Sequence, residues 1–165
     1  MSKVRIHITV TILIMAFIFI QSALPGDLSG AESNVLVELI TRIFNIDSET
    51  LSFIVRKIAH FTEYLILGVF LALDARDFAG RRRDPAYGMG QGLRQRSEHG
   101  PWQESAASAT VSLWLIAYLI GTFYAVTDEF HQSFVPGRSC ELRDMMIDSA
   151  GVAAGALVLL LMKKK

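Results

Sequence analysis

The chain has 165 residues, of which 52% are hydrophobic and 19% are charged, and its formal net charge is 0. This length fits one domain or one compact bundle, and the balanced charge excludes a general polyanion binder, so no nucleic-acid partner is expected. A single cysteine, Cys140, excludes an intrachain disulfide framework and a cysteine zinc site. The apolar residues gather in four long blocks, which indicates an integral membrane protein.

Each of the four blocks is long enough to cross a membrane as a helix. A hydrocarbon core of about 30 Å takes about 20 residues, and lipid offers the backbone no hydrogen-bond partner outside its own helix. We therefore predict an all-α membrane protein, a single domain over 1–165 with spans at residues 4–24, 51–73, 106–127 and 145–162. The first block is too long for the h-region of a signal peptide, which favours a retained helix.

The basic residues predict how these four helices are oriented. If the helices alternate, eleven of the sixteen lysines and arginines fall on one side: Lys3 and Arg5, six arginines within 76–96, and three lysines at 163–165. The positive-inside rule then places both termini in the cytoplasm, in the plasma membrane of a bacterium.

Two connections between the blocks differ in kind. Between the first two blocks, residues 27–50 carry apolar side chains at helical spacing, which predicts an amphipathic outer segment that lies in the membrane interface or packs on the bundle. Residues 79–105 are rich in glycine, arginine and other polar residues. They cannot bury a core, and we expect a flexible cytoplasmic loop.

Ionisable residues interrupt the outer half of the second block. Lys57, His60, Glu63 and Tyr64 fall within about 120° of one another on a helix, and Glu63 lies about 9 Å below Lys57. Lys57 can snorkel outward, whereas Glu63 is too short and too deep to do so and must face protein, water or a ligand.

The third and fourth blocks carry polar residues at the same predicted depth. Asp128, Glu129 and Gln132 fall within about 100° at the end of the third block, before a Pro-Gly turn that positions Arg138. In the fourth block one stripe within about 60° holds two acids above two glycines. These four residues are Asp144, Asp148, Gly151 and Gly155, and the glycines predict close helix packing on the same face as the acids.

These sets predict one ligand pocket at the outer face, for an anionic or amide-bearing ligand of the cell envelope or membrane. Its predicted residues are Lys57, His60, Glu63, Tyr64, Asp128, Glu129, Gln132, Arg138, Asp144 and Asp148. An interhelical cluster of salt bridges and hydrogen bonds that only holds the bundle together is the structural alternative.

Three segments of the chain together resemble the VanZ-like family of small bacterial membrane proteins. They are RKIAHFTEYLILG (Arg56 to Gly68), TDEFHQSFVPGR (Thr127 to Arg138), and the helix start that combines Asp144 with Gly151 and Gly155. The resemblance implies four transmembrane helices in the bacterial plasma membrane and, through the family's namesake, a link to teicoplanin-type glycopeptide resistance.

The chain also departs from the pattern of that family at three places. Arg56 stands where many relatives have an acid, and Asp148 stands where many have asparagine. The arginine-rich loop resembles an insertion.

Three functions remain open from the sequence. The first is a binding protein for membrane lipid, a cell-envelope precursor or a glycopeptide-related ligand. The second is an intramembrane hydrolase or transferase with His60, Glu63 and Asp128 as catalytic candidates, and the third is a small proton-coupled carrier. No cofactor is expected, and no metal, because only His60 and His131 lie near the carboxylates.

Overall fold

The structure, a computed structural model, describes residues 3–24, 47–83 and 106–162. These residues form four helices without a strand: α1 Lys3–Ala23, α2 Ser48–Arg83, α3 Ala106–Gln132 and α4 Leu142–Met162. The predicted all-α class is confirmed. Most of the predicted outer segment and residues 84–105 of the predicted loop lie outside the described residues.

The second helix is longer than the sequence suggested. α2 has 36 residues, which corresponds to about 54 Å, and it runs ten residues past the predicted end of the span. The prediction of a loop from residue 79 is therefore wrong for residues 79–83, which continue α2. Polar side chains end a hydrophobic block, but the backbone hydrogen bonds of a helix do not depend on them.

A side-chain cap defines the start of α2. The carboxylate of Asp47 accepts hydrogen bonds from the backbone N–H groups of Glu49 at 3.1 Å and Thr50 at 2.9 Å. These donors would otherwise lack a partner in the first turn of the helix. Hydrogen bonds from Thr50 and Glu49 lower the pKa of Asp47 below its ordinary value, so the cap stays charged at neutral pH.

Among the residues described, three helical segments are long and apolar enough to cross a membrane: Lys3–Ala23, Glu49–Ala79 and Val111–Gln132. Large apolar side chains such as Leu13 of α1 and Phe123 of α3 are exposed on the outside of the bundle. Such surfaces are stable in lipid and not in water. α4 is not among the three segments, and Arg143, Asp144 and Asp148 lie in its first two turns.

The closest helix pair is α2 with α4, and glycines permit their approach. A Cβ atom added at Gly155 would come to 2.0 Å from the carbonyl oxygen of Leu65, and one at Gly151 to 2.6 Å from that of Phe61. From the other side, a Cβ at Gly68 would meet the carbonyl oxygen of Val152 at 2.3 Å. Lipid provides no hydrophobic drive between helices, so this close packing stabilises the pair.

We expect Gly155→Ala to push α2 and α4 apart, because the new methyl group meets rigid backbone and not a flexible side chain. Overpacking of this kind costs about 1–3 kcal/mol. Thermal unfolding of the purified protein in detergent should show a lower melting temperature. Ala150→Leu, which adds more volume at an exposed position of the same helix, is the control. Equal melting of the two variants would contradict the close contact.

Candidate functional site

One buried carboxylate joins three helices near the C-terminal ends of α1 and α3. Oδ2 of Asp128 in α3 accepts hydrogen bonds from Ser22 Oγ of α1 at 2.7 Å, Tyr64 OH of α2 at 3.2 Å and Gln132 Nε2 at 3.1 Å. Asp128 is 2% exposed, and its Oδ1 has no hydrogen-bond partner among the residues described. The three donors compensate for removing a carboxylate from water.

The guanidinium group of Arg138 attaches the turn after α3 to the end of α1. It donates from Nε to the carbonyl oxygen of Leu24 at 3.0 Å, from one terminal nitrogen to that of Gln21 at 3.2 Å, and from the other to Gln132 Oε1 at 3.1 Å. These carbonyls lie at the C-terminus of α1, where a cation also meets the negative end of the helix dipole.

Burial is the main influence on the protonation of Arg138. It lowers the pKa of the guanidinium, and nearby Arg56 lowers it further, whereas Asp128 raises it. An arginine begins so far above neutral pH that it keeps its charge. The predicted turn at Pro136 and Gly137 is confirmed, since Gly137 adopts a φ of 77° that a residue with a side chain rarely takes.

Two acids at the start of α4 face two basic side chains of α2. Lys57 forms an ion pair with Asp144, and its ammonium group also lies 4.9 Å from the centre of the Phe53 ring. One turn deeper, His60 Nδ1 lies 3.8 Å from Asp148 Oδ1, which is too long for a hydrogen bond. Asp148 is fully buried, and neither of its oxygens has a hydrogen-bond partner among the residues described.

Glu129 links α3 to the start of α4. Its Oε2 accepts a hydrogen bond at 3.0 Å from the backbone N–H of Glu141, while its fully buried Oε1 has no partner in the described part of the chain. Within the described part of the chain, buried carboxylate oxygens without a hydrogen-bond partner therefore occur at four positions of the cluster: Asp128, Glu129, Asp144 and Asp148. Such groups are costly unless a proton, a water or a ligand satisfies them.

An open cavity of about 110 Å³ lies above these acids, between α2, the turn after α3 and the start of α4. Basic and polar side chains line it: Arg56, Lys57, His60, Gln132, Arg138, Ser139, Glu141 and Asp144. Five of the ten residues predicted for the pocket line this cavity: Lys57, His60, Gln132, Arg138 and Asp144. Tyr64, Asp128, Glu129 and Asp148 are buried and do not line it.

Glu63 is the predicted pocket residue that lies apart from this cavity. It borders a separate groove of about 250 Å³, where its neighbours are apolar side chains of α1 and Ile66 of α2. Its carboxylate makes no hydrogen bond among the residues described, although it lies near enough to Asp128 and Arg138 for electrostatic interaction. A shared helix face with His60 therefore does not bring Glu63 into the same opening.

Sequence reasoning missed three residues of this region. Ser22, at the end of the first apolar block, was not among the predicted pocket residues, yet its hydroxyl donates to Asp128. Arg56 and Glu141, which line the cavity, lay outside the predicted pocket. Ser22 is one of the few polar residues at the end of a long apolar block, and that position is the signal that could have identified it.

The described residues contain no group of three or more histidines, cysteines or acids placed to hold a metal ion. His131 does not approach the carboxylates, because its ring stacks on Phe19 of α1 with 4.2 Å between the ring centres. Cys140 is exposed beside the cavity and has no disulfide partner. Within the described part of the chain, the site offers acids, bases and hydrogen-bond donors.

Long apolar helices with a buried polar cluster at one end define a helical membrane protein. A family model described as VanZ/LLP1 matches residues 7–163, which is nearly the whole chain. The chain belongs to the VanZ/LLP1 family, and the resemblance noted in the sequence is confirmed. No curated protein and no solved structure matches it.

We expect Arg138→Ala to loosen the C-terminal end of α1, because two carbonyl groups there and one on Gln132 of α3 lose a charged donor. A hydrogen bond to a charged group contributes about 1.5–3 kcal/mol, and half-burial of Arg138 places the loss toward the lower value. Detergent melting curves measure the effect. Arg138→Lys should recover only part of it, since an ammonium group cannot reproduce the planar fork.

Arg56→Ala is the control for that experiment. Arg56 is exposed and makes no hydrogen bond among the described residues. A loss of stability as large as that of Arg138→Ala would show that the three carbonyl contacts are not what holds α1.

Proposed function

We propose that this VanZ-like protein is a multi-pass protein of the bacterial plasma membrane whose outer-end cavity binds an anionic group of a lipid or cell-envelope ligand. The observation that carries the proposal is the basic lining of the cavity. Arg56, Lys57 and Arg138 contribute three full positive charges, against the two carboxylates of Glu141 and Asp144. A cavity lined in this way favours a phosphate or carboxylate over a neutral group.

The state of each basic residue supports a ligand role for some of them and a structural role for others. Lys57 is already paired with Asp144, and Arg138 is held by carbonyl oxygens. Arg56 is exposed and has no hydrogen-bond partner among the described residues, and the His60 ring lies beyond hydrogen-bond distance of Asp148. Groups that are not fully paired are the ones available to a ligand.

An acid in the wall of the cavity suggests a second requirement on the ligand. Asp144 lines the cavity, and its Oδ1 has no hydrogen-bond partner among the described residues. A ligand that carries a hydroxyl or amide N–H group beside its anionic group would satisfy this oxygen, and lipid head groups and envelope precursors carry such groups. The proposal therefore favours a polar head group with both acceptors and donors.

The distribution of polar residues argues for binding rather than for proton-coupled transport. After Tyr64, α2 has nine uncharged residues before Asp74, a distance of about 15 Å along the helix axis. Leu67 and Leu71 from this stretch are buried in the apolar core. A carrier needs a polar route through the span, and this core interrupts it.

The orientation that we propose has four spans, with α4 as the fourth, and both termini in the cytoplasm. It follows from the eleven basic residues on one side, and it puts the cavity on the outer face. Cys140, which is exposed in the turn between α3 and α4, should then react with an impermeant thiol reagent in intact cells. A cysteine introduced at Gly90 in a Cys140→Ser background should not. The reverse labelling pattern would show that the topology is the inverse of the one proposed.

Binding can be tested with the full chain in phosphatidylcholine nanodiscs that contain a small fraction of phosphatidylglycerol. We expect the protein to retain the anionic lipid, as measured by native mass spectrometry. Arg56→Gln removes one positive charge from the cavity and should weaken retention about tenfold, which corresponds to a loss of about 1.4 kcal/mol of binding free energy. Its melting temperature should stay within a few degrees of the wild-type value, since Arg56 is exposed.

Arg143→Gln is the matched control, because Arg143 is also exposed at the outer end, carries the same charge and does not line the cavity. Equal retention by both variants would refute a specific anion site. The same pair should be compared for sensitivity to envelope antibiotics, including teicoplanin. A cellular effect of Arg56→Gln alone would connect the cavity to the envelope.

A further inference from the structure

A second polar cluster joins α1 and α2 at their inner ends. His7 Nδ1 of α1 lies 2.8 Å from Asp77 Oδ2 of α2, and the hydroxyl of Thr11 donates to Asp74 Oδ2 at 2.6 Å. His7 and Thr11 are one turn apart, as are Asp74 and Asp77, so the two pairs stack along the helix interface. The function proposed above does not use these residues.

Asp74 is incompletely satisfied by these contacts. It is 9% exposed, and its Oδ1 is buried without a hydrogen-bond partner among the residues described. Thr11 has one hydroxyl proton, which serves Oδ2, so the second oxygen needs a donor from elsewhere. A buried acceptor of this kind is costly and calls for a specific partner.

Asp74 also forms part of the wall of a cavity of about 490 Å³ between α1, α2 and α3. It is the one polar side chain in the lining, among the residues described. The remainder is apolar, with contributions from all three helices: Ile8, Leu71, Phe78, Leu113, Ile116 and Ile120. This volume falls in the range of about 300–1,000 Å³ that is usual for small-molecule sites.

We propose that this inner cavity binds a lipid with a single aliphatic chain in the pocket and an uncharged hydroxyl head group that donates to Asp74. The apolar wall fits the chain, and the one unpartnered oxygen fits one donor. Asp74 and Asp77 lie together here, and their carboxylates disfavour a fatty acid or phosphate head group. A hydroxyl also loses less hydration than an ammonium group on entering the pocket.

The position of Asp74 along α2 agrees with this occupant. Asp74 lies five residues from the end of the candidate span Glu49–Ala79, which is about 7.5 Å along the helix. The 31 residues of this segment span about 46 Å, so a hydrocarbon core of about 30 Å centred on it ends near Asp74, where a short polar head can sit. Leu71 of α2 and Ile120 of α3 continue the cavity toward the middle of the span and would contact the chain.

The test uses the full chain in phosphatidylcholine nanodiscs and a diazirine-labelled 1-dodecanol as the probe. We expect saturable photolabelling that unlabelled 1-dodecanol competes away, with dodecanoate and dodecylamine each at least tenfold weaker as competitors. Equal competition by dodecanoate would show apolar partitioning without a role for Asp74. Stronger competition by dodecylamine would overturn the assignment of a hydroxyl head group.

Two kinds of variant locate the site. Asp74→Ala should weaken labelling at least tenfold. Ile116→Trp fills the cavity from the α3 wall, leaves the contact between Thr11 and Asp74 in place, and should abolish labelling. Leu119→Trp, at a comparably exposed position of the same helix that does not line the cavity, is the matched control and should label like the wild type.

If Asp74→Ala fails to fold, the two tryptophan variants decide the question, and normal labelling of Ile116→Trp would refute the site. Arg56→Gln separates the test of the inner cavity from the test of the outer cavity. It should leave dodecanol labelling unchanged, so failure of one proposal is distinguishable from failure of the other. A parallel loss in Arg56→Gln would show that the probe reports the outer cavity.

Discussion

The structure depends on a carboxylate that is buried where three helices meet. Asp128 accepts hydrogen bonds from Ser22 of α1, Tyr64 of α2 and Gln132 of its own helix. In a membrane span a carboxylate without such donors would be expensive, and hydrophobic burial provides no attraction between helices that are already in lipid. Because Asp128 needs donors from other helices, it determines how α1, α2 and α3 are arranged. The apolar side chains around it then pack in the arrangement that the acid permits.

The fourth helix is positioned by close backbone packing. Gly151 and Gly155 let α4 approach α2, and Asp148 continues their stripe toward the N-terminus of α4. The approach that the glycines permit brings Asp148 opposite His60 and Asp144 opposite Lys57. Packing and charge placement are thus one feature of α4, because residues that share a helix face share a neighbour. A substitution that separates the two helices would also separate the charges that border the outer cavity.

The sequence predicted the helix class and which residues share a face, because both follow from helical periodicity. It could not predict how each helix is rotated against its neighbours. On α2 the polar residues spread over about 120° of the helix circumference, so they do not all face the same neighbouring helix. Lys57 at one edge and His60 midway reach the cavity, whereas Glu63 at the other edge faces the groove beside α1. The hydroxyl partners Ser22 and Thr11 have no periodic signal, and the acceptor of each lies on another helix. The position of Ser22 at the end of an apolar block could have marked it as a polar contact, but not its partner.

The first helix shows why polar contacts are needed to hold a helix against its neighbours in a membrane. Its middle contributes Ile14 and Ile18 to the apolar core, but these side chains would meet lipid of similar polarity if α1 moved away. Hydrogen bonds do favour α1 packed in the bundle over α1 surrounded by lipid, since lipid cannot replace them. α1 is accordingly held near its C-terminus through Ser22, near its middle through the carbonyl oxygen of Met15, which accepts a hydrogen bond from Tyr124 OH of α3 at 2.6 Å, and near its N-terminus through His7 and Thr11. A contact that only held the N-terminal end of α1 against α2 would need no unpartnered oxygen. The second oxygen of Asp74 has no donor among the described residues, and Asp74 borders an apolar cavity. A purely structural contact does not explain this combination.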